Sequence, residues 1–161
     1  MSLEIKQVKT KKQFKDFLRI FDYWHKQGKL GFVPIFILYR VKDQGQLSLL
    51  VKNAKTIGIA WMIPRKRPYE FYQLKTYAID RDWIGKGYGE KFLKKLIDPL
   101  HKAGYDITTG VLTDNKPAIK LYKKMGFKTT EKVKSAKGIE TYEMIYKATK
   151  PKSSSSKGTF I

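Results

Sequence analysis

Residues 79–92 read IDRDWIGKGYGEKF, and three glycines, Gly85, Gly87 and Gly89, fall at alternate positions within them. Before this stretch lies an aromatic and β-branched run, Phe71 to Ile79, with the character of a strand. After it, Phe92, Leu93, Leu96, Ile97 and Leu100 recur at helical spacing. A chain that passes from strand through such a turn into a helix presents unpaired backbone N–H groups and a partial positive charge at the helix start. Glycine removes the side chains that would block an anion and permits backbone angles other residues avoid. Lys86 adds charge between the first two glycines. The segment therefore reads as a phosphate cradle; a merely flexible turn would need one glycine. It is neither a dinucleotide fingerprint, because Glu90 stands at the last glycine position, nor a P-loop, because no Gly-Lys-Ser/Thr follows.

The rest of the chain alternates strands and helices. Glu4 to Lys9 reads as a strand. Thr10 and Gln13 fit a capping box, and Phe14, Phe17, Leu18, Phe21 and Trp24 then carry a helix to about Gln27, where Gly28 and Gly31 end it. Phe32 to Val41 is apolar and ambiguous, with a short helix after Pro34 as one reading. Leu47 to Val51 and Ile57 to Ile63 form a hairpin across a turn at Asn53 to Thr56. Pro64 is expected to break the second strand, and Arg65-Lys66-Arg67 to form a basic loop. Pro99 should kink or end the helix that follows the glycines. Asp106 to Leu112 is a further strand. Asn115 caps a helix with Pro117 in its first turn, Ala118, Ile119, Leu121, Tyr122 and Met125 on its buried side, and Gly126 as its stop. Phe127 to Val133 and Thr141 to Tyr146 are strands about a Lys137-Gly138 turn. This order implies an α/β fold with a mixed sheet in one domain over residues 1–146. Residues 147–161 form a basic, Ser-rich tail expected to be disordered.

Composition narrows the function. The 161 residues contain no cysteine and two histidines, which excludes disulfides and thiolate metal sites and argues against any metal centre. No apolar run approaches the roughly 18 residues needed to span a membrane, and the N-terminus lacks a signal-peptide core. We expect a cytoplasmic protein with no membrane span. Against 14 acidic residues stand 34 Lys and Arg, a net charge of +20. That field favours an anionic macromolecule such as RNA or DNA, or an anionic membrane surface; the plainer reading is a lysine-rich surface that keeps the chain soluble.

Two blocks resemble a known family. YAIDRDWIGKGYGEKFL, Tyr77 to Leu93, is similar to the acetyl-coenzyme A segment of the GCN5-related N-acetyltransferases, with Gly87 and Gly89 at the family's glycine positions and Gly85 at a common extra one. Ile84 departs from the Arg or Gln usual there. NKPAIKLYKKMGF, Asn115 to Phe127, resembles the family's later N-x-x-A-x-x-x-Y-x-x-x-G-F segment at Asn115, Ala118, Tyr122, Gly126 and Phe127. The blocks occur in family order, and the resemblance covers about residues 4 to 146. It implies a mixed, mostly antiparallel sheet split between two central parallel strands and flanked by helices.

It also implies acetyl-CoA as co-substrate and an N-acetyltransferase in which an acceptor amine attacks the thioester directly. Tyr77, Ala78 and Ile79 would meet the pantetheine arm, with the Ile79 N–H at the oxyanion. Gly85, Lys86, Gly87, Tyr88, Gly89 and Glu90 would hold the pyrophosphate. Tyr122 would meet the cofactor and, as general acid, protonate the departing thiolate, a role suited to a phenol near pKa 10. A core tyrosine is the alternative. Asn115 would cap its helix and meet the cofactor. Glu70, Asp106 and, through water, Gln73 are candidate bases, with Glu143 behind them. His25 and His101 read as structural or surface residues. Tyr69, Tyr72 and Trp61 line the acceptor slot or pack the core. The acceptor is open, and so is the choice between monomer and homodimer. The rival readings are acetylation of an RNA-linked amine such as aminoacyl-tRNA, and a nucleic-acid binding module that kept the fold without the chemistry.

Overall fold

A computed structural model describes residues 3–28 and 47–148 of the chain. Segment 32–41, where the sequence leaves a short helix open, lies outside the described residues, as does the tail from 149. The described elements are β1 (Leu3–Gln7), α1 (Lys11–Lys26), β2 (Leu47–Lys52), β3 (Lys55–Arg65), β4 (Phe71–Ile79), α2 (Tyr88–Lys102), β5 (Ile107–Leu112), α3 (Lys116–Met125), β6 (Lys128–Lys134) and β7 (Glu140–Tyr146). A single 3-10 turn, Arg81–Trp83, precedes the glycines. The strand order is β1-β2-β3-β4-β5-β7-β6. β4 and β5 pair in parallel, whereas β1/β2, β2/β3, β5/β7 and β6/β7 are antiparallel. This is the expected mixed sheet with a parallel centre. Among the described residues no helix is long and apolar enough to cross a membrane.

The chain divides into two compact units, Met1–Met62 with Lys75–Phe92, and Ile63–Leu74 with Leu93–Ile161. In the first, α1 starts where the sequence places it. The Thr10 hydroxyl accepts from the Gln13 N–H at 3.1 Å, and the Gln13 amide oxygen accepts from the Thr10 N–H at 3.0 Å. Its stripe of Phe14, Phe17, Ile20 and Phe21 is buried. Leu47, Leu49, Leu50 and Val51 of β2, together with Ile57, Ile59, Ala60 and Trp61 of β3, are buried as near-continuous runs, the pattern of an internal strand. The hairpin between them is tighter than the sequence suggests. Asn53 and Ala54, at φ 51° and 65°, complete a two-residue turn, and Lys55 already pairs with Lys52. Two successive left-handed residues match the twist of the flanking strands.

The break expected at Pro64 does not occur, and of the two outcomes open at Pro99, a kink or an end, the helix does not end there. β3 runs through Pro64 to Arg65. The register of β3 with β2 ends at Leu47↔Trp61, so the missing Pro64 N–H removes no bond from that ladder. Likewise α2 continues past Pro99 to Lys102. There the Pro99 carbonyl still accepts from the Ala103 N–H at 3.1 Å.

In the second unit, Leu74, Leu93, Ile97, Ile107, Val111, Ile119, Tyr122, Phe127 and Met144 make the core. The parallel register covers only Tyr72↔Ile107, Gln73↔Thr108 and Leu74↔Thr109, although β5 runs on to Leu112. Asn115 caps α3, its side chain accepting from the Ala118 N–H at 3.4 Å, and Gly126 ends the helix at φ 110°. Both roles are those the sequence predicts. Every residue of β6 is exposed, as befits the outermost strand.

Candidate functional site

In the first unit the glycine segment forms a cradle at a helix start. Gly85 and Gly87 have φ of 77° and 85°, angles that L side chains rarely adopt, and a Cβ at either would meet nothing within 4 Å among the described residues. The space above both is therefore open. Gly89 lies within α2, which starts at Tyr88. The Gly87 carbonyl accepts the helix's first bond, from the Lys91 N–H at 3.3 Å. The N–H groups of Tyr88 and Gly89 thus have no intrahelical acceptor, which is the arrangement an anion needs. The turn is anchored by a side chain for which the sequence offers only a backbone role. The Tyr77 hydroxyl donates to the Gly89 carbonyl, and its ring lies 5.5 Å from Phe92.

The end of β4 is fixed from α1. The Trp24 indole N–H donates to the Ile79 carbonyl at 2.7 Å, and the Asp80 N–H donates to the Ile57 carbonyl at 2.8 Å. Asp80, 6% exposed, accepts from Arg19 at 2.8 Å, and Arg19 also reaches the Thr56 carbonyl. Sequence reasoning misses Arg19 and Trp24, because a partner 55 to 61 residues away leaves no local signal. A cleft of about 350 Å³ beside these residues is lined by Arg19, Ile20, Tyr23, Trp24, Asp80, Arg81 and Asp82. None of its lining residues is among those the sequence nominates. Ala78 is buried on the inner face of β4. Trp61 is also buried, and its indole N–H has no hydrogen-bond partner among the described residues.

In the second unit, Tyr122 is 5% exposed, and burial pushes its phenol up to about 12, a hydrogen bond with Thr109 offsetting part of the rise. The Thr109 hydroxyl in turn donates to the Leu74 carbonyl at 3.0 Å. A threonine has one proton, so in this state its oxygen accepts from the phenol. Once the phenol has given up its proton, the same hydroxyl can turn and donate to the phenolate. Leu74↔Thr109 is the last pair of the parallel register, so this chain of hydroxyls stands where the β4–β5 ladder stops. Thr109 escapes sequence reasoning because a threonine in a strand is unremarked.

The carboxyl and amide candidates separate on their partners. Asp106 is 8% exposed and accepts from the Tyr69 hydroxyl at 2.6 Å and the Ala148 N–H at 2.7 Å, with Lys147 Nζ at 3.5 Å. Burial raises its pKa, but these donors outweigh burial and hold it below the ordinary carboxylate value. In turn burial, then Asp106, pushes Tyr69 up to about 12. The Gln73 amide oxygen accepts twice from Arg65, at 2.9 and 2.7 Å. Tyr72 packs edge-on to Tyr105 at 5.1 Å, and its pKa is raised by burial, then by Tyr105 and Glu70. Glu143 pairs with Gly110, and its Oε2 lies 2.9 Å from where a Gly110 Cβ would stand. A glycine at 110 thus makes room for that carboxylate. His25 stacks on Phe21 and His101 on Tyr146, at 5.9 and 3.9 Å. Among the described residues no cluster of His, Cys, Asp or Glu could hold a metal ion.

The chain belongs to the acetyltransferase (GNAT) family, whose model matches residues 12–127. No curated protein matches the sequence. Several solved structures share the fold. The Escherichia coli ribosomal-protein-S18-alanine N-acetyltransferase is 20% identical with a TM-score of 0.73, over 95% of this chain and 98% of that one. Arabidopsis thaliana Naa50, in complex with the bisubstrate analogue CoA-Ac-MVNAL, is 19% identical with a TM-score of 0.74, over 90% and 98%. Neisseria gonorrhoeae N-acetylglutamate synthase, complexed with coenzyme A and N-acetyl-glutamate, is 14% identical with a TM-score of 0.76, over 93% of this chain and 36% of that one.

Proposed function

We propose that the protein transfers an acetyl group from acetyl-CoA to a primary amine by direct attack, with Tyr122 as general acid. The observation that carries this reading is the Tyr122 hydroxyl, buried and joined to Thr109 at the last pair of the parallel register. A phenol raised to about 12 stays protonated until the thiolate departs, and the same desolvation raises the proton affinity of the developing sulfur anion. The open backbone at Gly85 and Gly87, with the N–H groups of Tyr88 and Gly89, takes the pyrophosphate, and Lys86 adds charge. The edge Tyr77 to Ile79 takes the pantetheine arm. Asn115 spends its amide oxygen on the cap, which leaves its N–H₂ for the cofactor.

The acceptor ammonium must lose a proton before attack. Asp106 is held ionised by its donors and is a weak base for that reason. Gln73 is committed to Arg65. Glu70 and Glu143 remain, and Glu143, for which Gly110 makes room, is the base we assign. We place the protein in the cytoplasm and leave its acceptor among amines, peptides and RNA-linked amines.

A screen of such amines for release of free CoA supplies the acceptor. With it, Tyr122→Phe is expected to keep acetyl-CoA affinity and lower kcat by about 10² to 10⁴, and Glu143→Gln to lower kcat by a similar factor. Equal kcat for wild type and Tyr122→Phe, with chemistry rate-limiting, refutes the acid. Unchanged kcat in Glu143→Gln refutes the base.

A further inference from the structure

One peptide unit at the end of β4 is held from both edges. Its carbonyl, that of Ile79, accepts from the Trp24 indole N–H at 2.7 Å, and its N–H, that of Asp80, donates to the Ile57 carbonyl on β3 at 2.8 Å. A trans peptide sends its C=O and N–H to opposite edges, so Trp24 stands on the edge of β4 away from β3. The N–H and C=O of one extended residue point to the same edge, which puts the Ile79 N–H on the Trp24 side as well. The Ile79 side chain is seated too. Its Cδ1 lies 3.0 Å from where a Cβ on Gly58 would stand, so a glycine at 58 leaves the room that this side chain fills. Just beyond, the Asp80 carboxylate accepts from Arg19 at 2.8 Å and from the Asp82 N–H at 3.4 Å, and the Asp80 carbonyl accepts from the Trp83 N–H at 2.8 Å. Two side chains of α1, Arg19 and Trp24, thus grip the junction between the strand and the glycine turn. Tyr23 backs the grip, packing edge-on to Trp24 at 4.9 Å with Arg81 over its ring at 5.1 Å.

We infer that Trp24 is a positioning residue for acetyl transfer: by holding the Ile79 carbonyl, its indole N–H aims the neighbouring Ile79 N–H at the oxyanion. The inference rests on the proposed reaction with Ile79 as the oxyanion donor. A donor stabilises developing charge best when it already points to where that charge appears. Ile79 is the last residue of β4, so the strand does not continue to fix its backbone. With the next peptide unit held at both edges and the side chain seated over Gly58, little freedom is left to that N–H. An indole suits the task, being a donor only, on a stiff ring with two side-chain torsions. Trp24 touches no reacting atom in this role and acts through Ile79. A bond that merely anchored α1 would affect stability and leave kcat alone.

Trp24→Phe keeps a ring at this half-buried position and removes the N–H. Trp24→Met, read the same way, guards against a fold defect in the first variant, because an unbranched thioether fills an irregular gap. In protein labelled at the Ile79 carbonyl carbon, the nuclear magnetic resonance of that carbon is expected to shift in both variants as the hydrogen bond is lost. With an acceptor from the amine screen, kcat is expected to fall about tenfold, while acetyl-CoA affinity by calorimetry stays within about twofold. Wild-type kcat in a folded variant whose resonance has moved overturns the inference and leaves the proposed function intact. A loss of acetyl-CoA affinity as large as the loss of kcat also overturns it, by making Trp24 a wall of the cofactor site. An unmoved resonance overturns it as well, since the carbonyl then does not depend on the indole. Failure of the wild type to release CoA with any acceptor overturns this inference and the proposed function together.

Discussion

The hydroxyl of Thr109 is a small group in a decisive place. It spends its proton on the Leu74 carbonyl while the phenol of Tyr122 is neutral, and is the donor at hand when the phenol becomes anionic. Thr109→Val keeps the branched shape and removes that option. We expect kcat to fall about tenfold, the worth of one such hydrogen bond, with acetyl-CoA affinity unchanged; equal kcat would separate Thr109 from the reaction. Asp106 is a contrasting case. The sequence nominates it as a base, yet its donors are Tyr69, Ala148 and Lys147, the last two at the start of the chain's C-terminal extension. Its folded pKa is lowered, so its contribution to stability is present above the unfolded value near 3.8 and is lost as pH falls through the lower folded value. Asp106→Asn should therefore cost about 1.5–3 kcal/mol at pH 7 by denaturant unfolding. The gap should narrow at pH 3 and below. A gap independent of pH would mean that packing, not ionisation, holds the group.

At the scale of elements, what the sequence reveals is what is encoded locally. The capping box of Thr10 and Gln13, the cap at Asn115, the stop at Gly126 and the limits of β4 are all visible in adjacent residues, and the structure matches them. Pro64 misleads because its effect depends on whether a partner needs the missing N–H, which the residue alone does not tell. The partners of Asp106 and Ile79 are hidden for the same reason, since long-range pairing leaves no period in the sequence. Gly126 joins local and distant constraints. Its φ of 110° ends α3, and a Cβ there would stand 2.8 Å from Tyr146 Cε1 on β7. Gly126→Ala would meet the backbone penalty of about 1–2 kcal/mol and a ring that itself stacks on His101. We expect a loss of at least about 2 kcal/mol in thermal or denaturant unfolding. A loss below about 1 kcal/mol would mean that β7 yields without resistance.

At the scale of the whole molecule, the net charge of +20 is the largest feature that neither the cradle nor the buried tyrosine explains. If RNA is a partner, affinity for a labelled oligonucleotide should fall about linearly on a logarithmic salt axis between low and physiological salt, as counterion release requires. Removing residues 149–161 should make that slope shallower. No binding at low salt would leave the charge as a solvation device. The positions of the tryptophans have a practical consequence of another kind. All three, Trp24, Trp61 and Trp83, fall within the first compact unit, and the second has none. Each samples a different setting: Trp24 on the Ile79 carbonyl, Trp61 in the core, Trp83 beneath Lys55 and Lys86. Intrinsic fluorescence from this chain is therefore a one-sided optical reporter. It follows the half that carries the glycine cradle, and no tryptophan reports on the half that carries Tyr122.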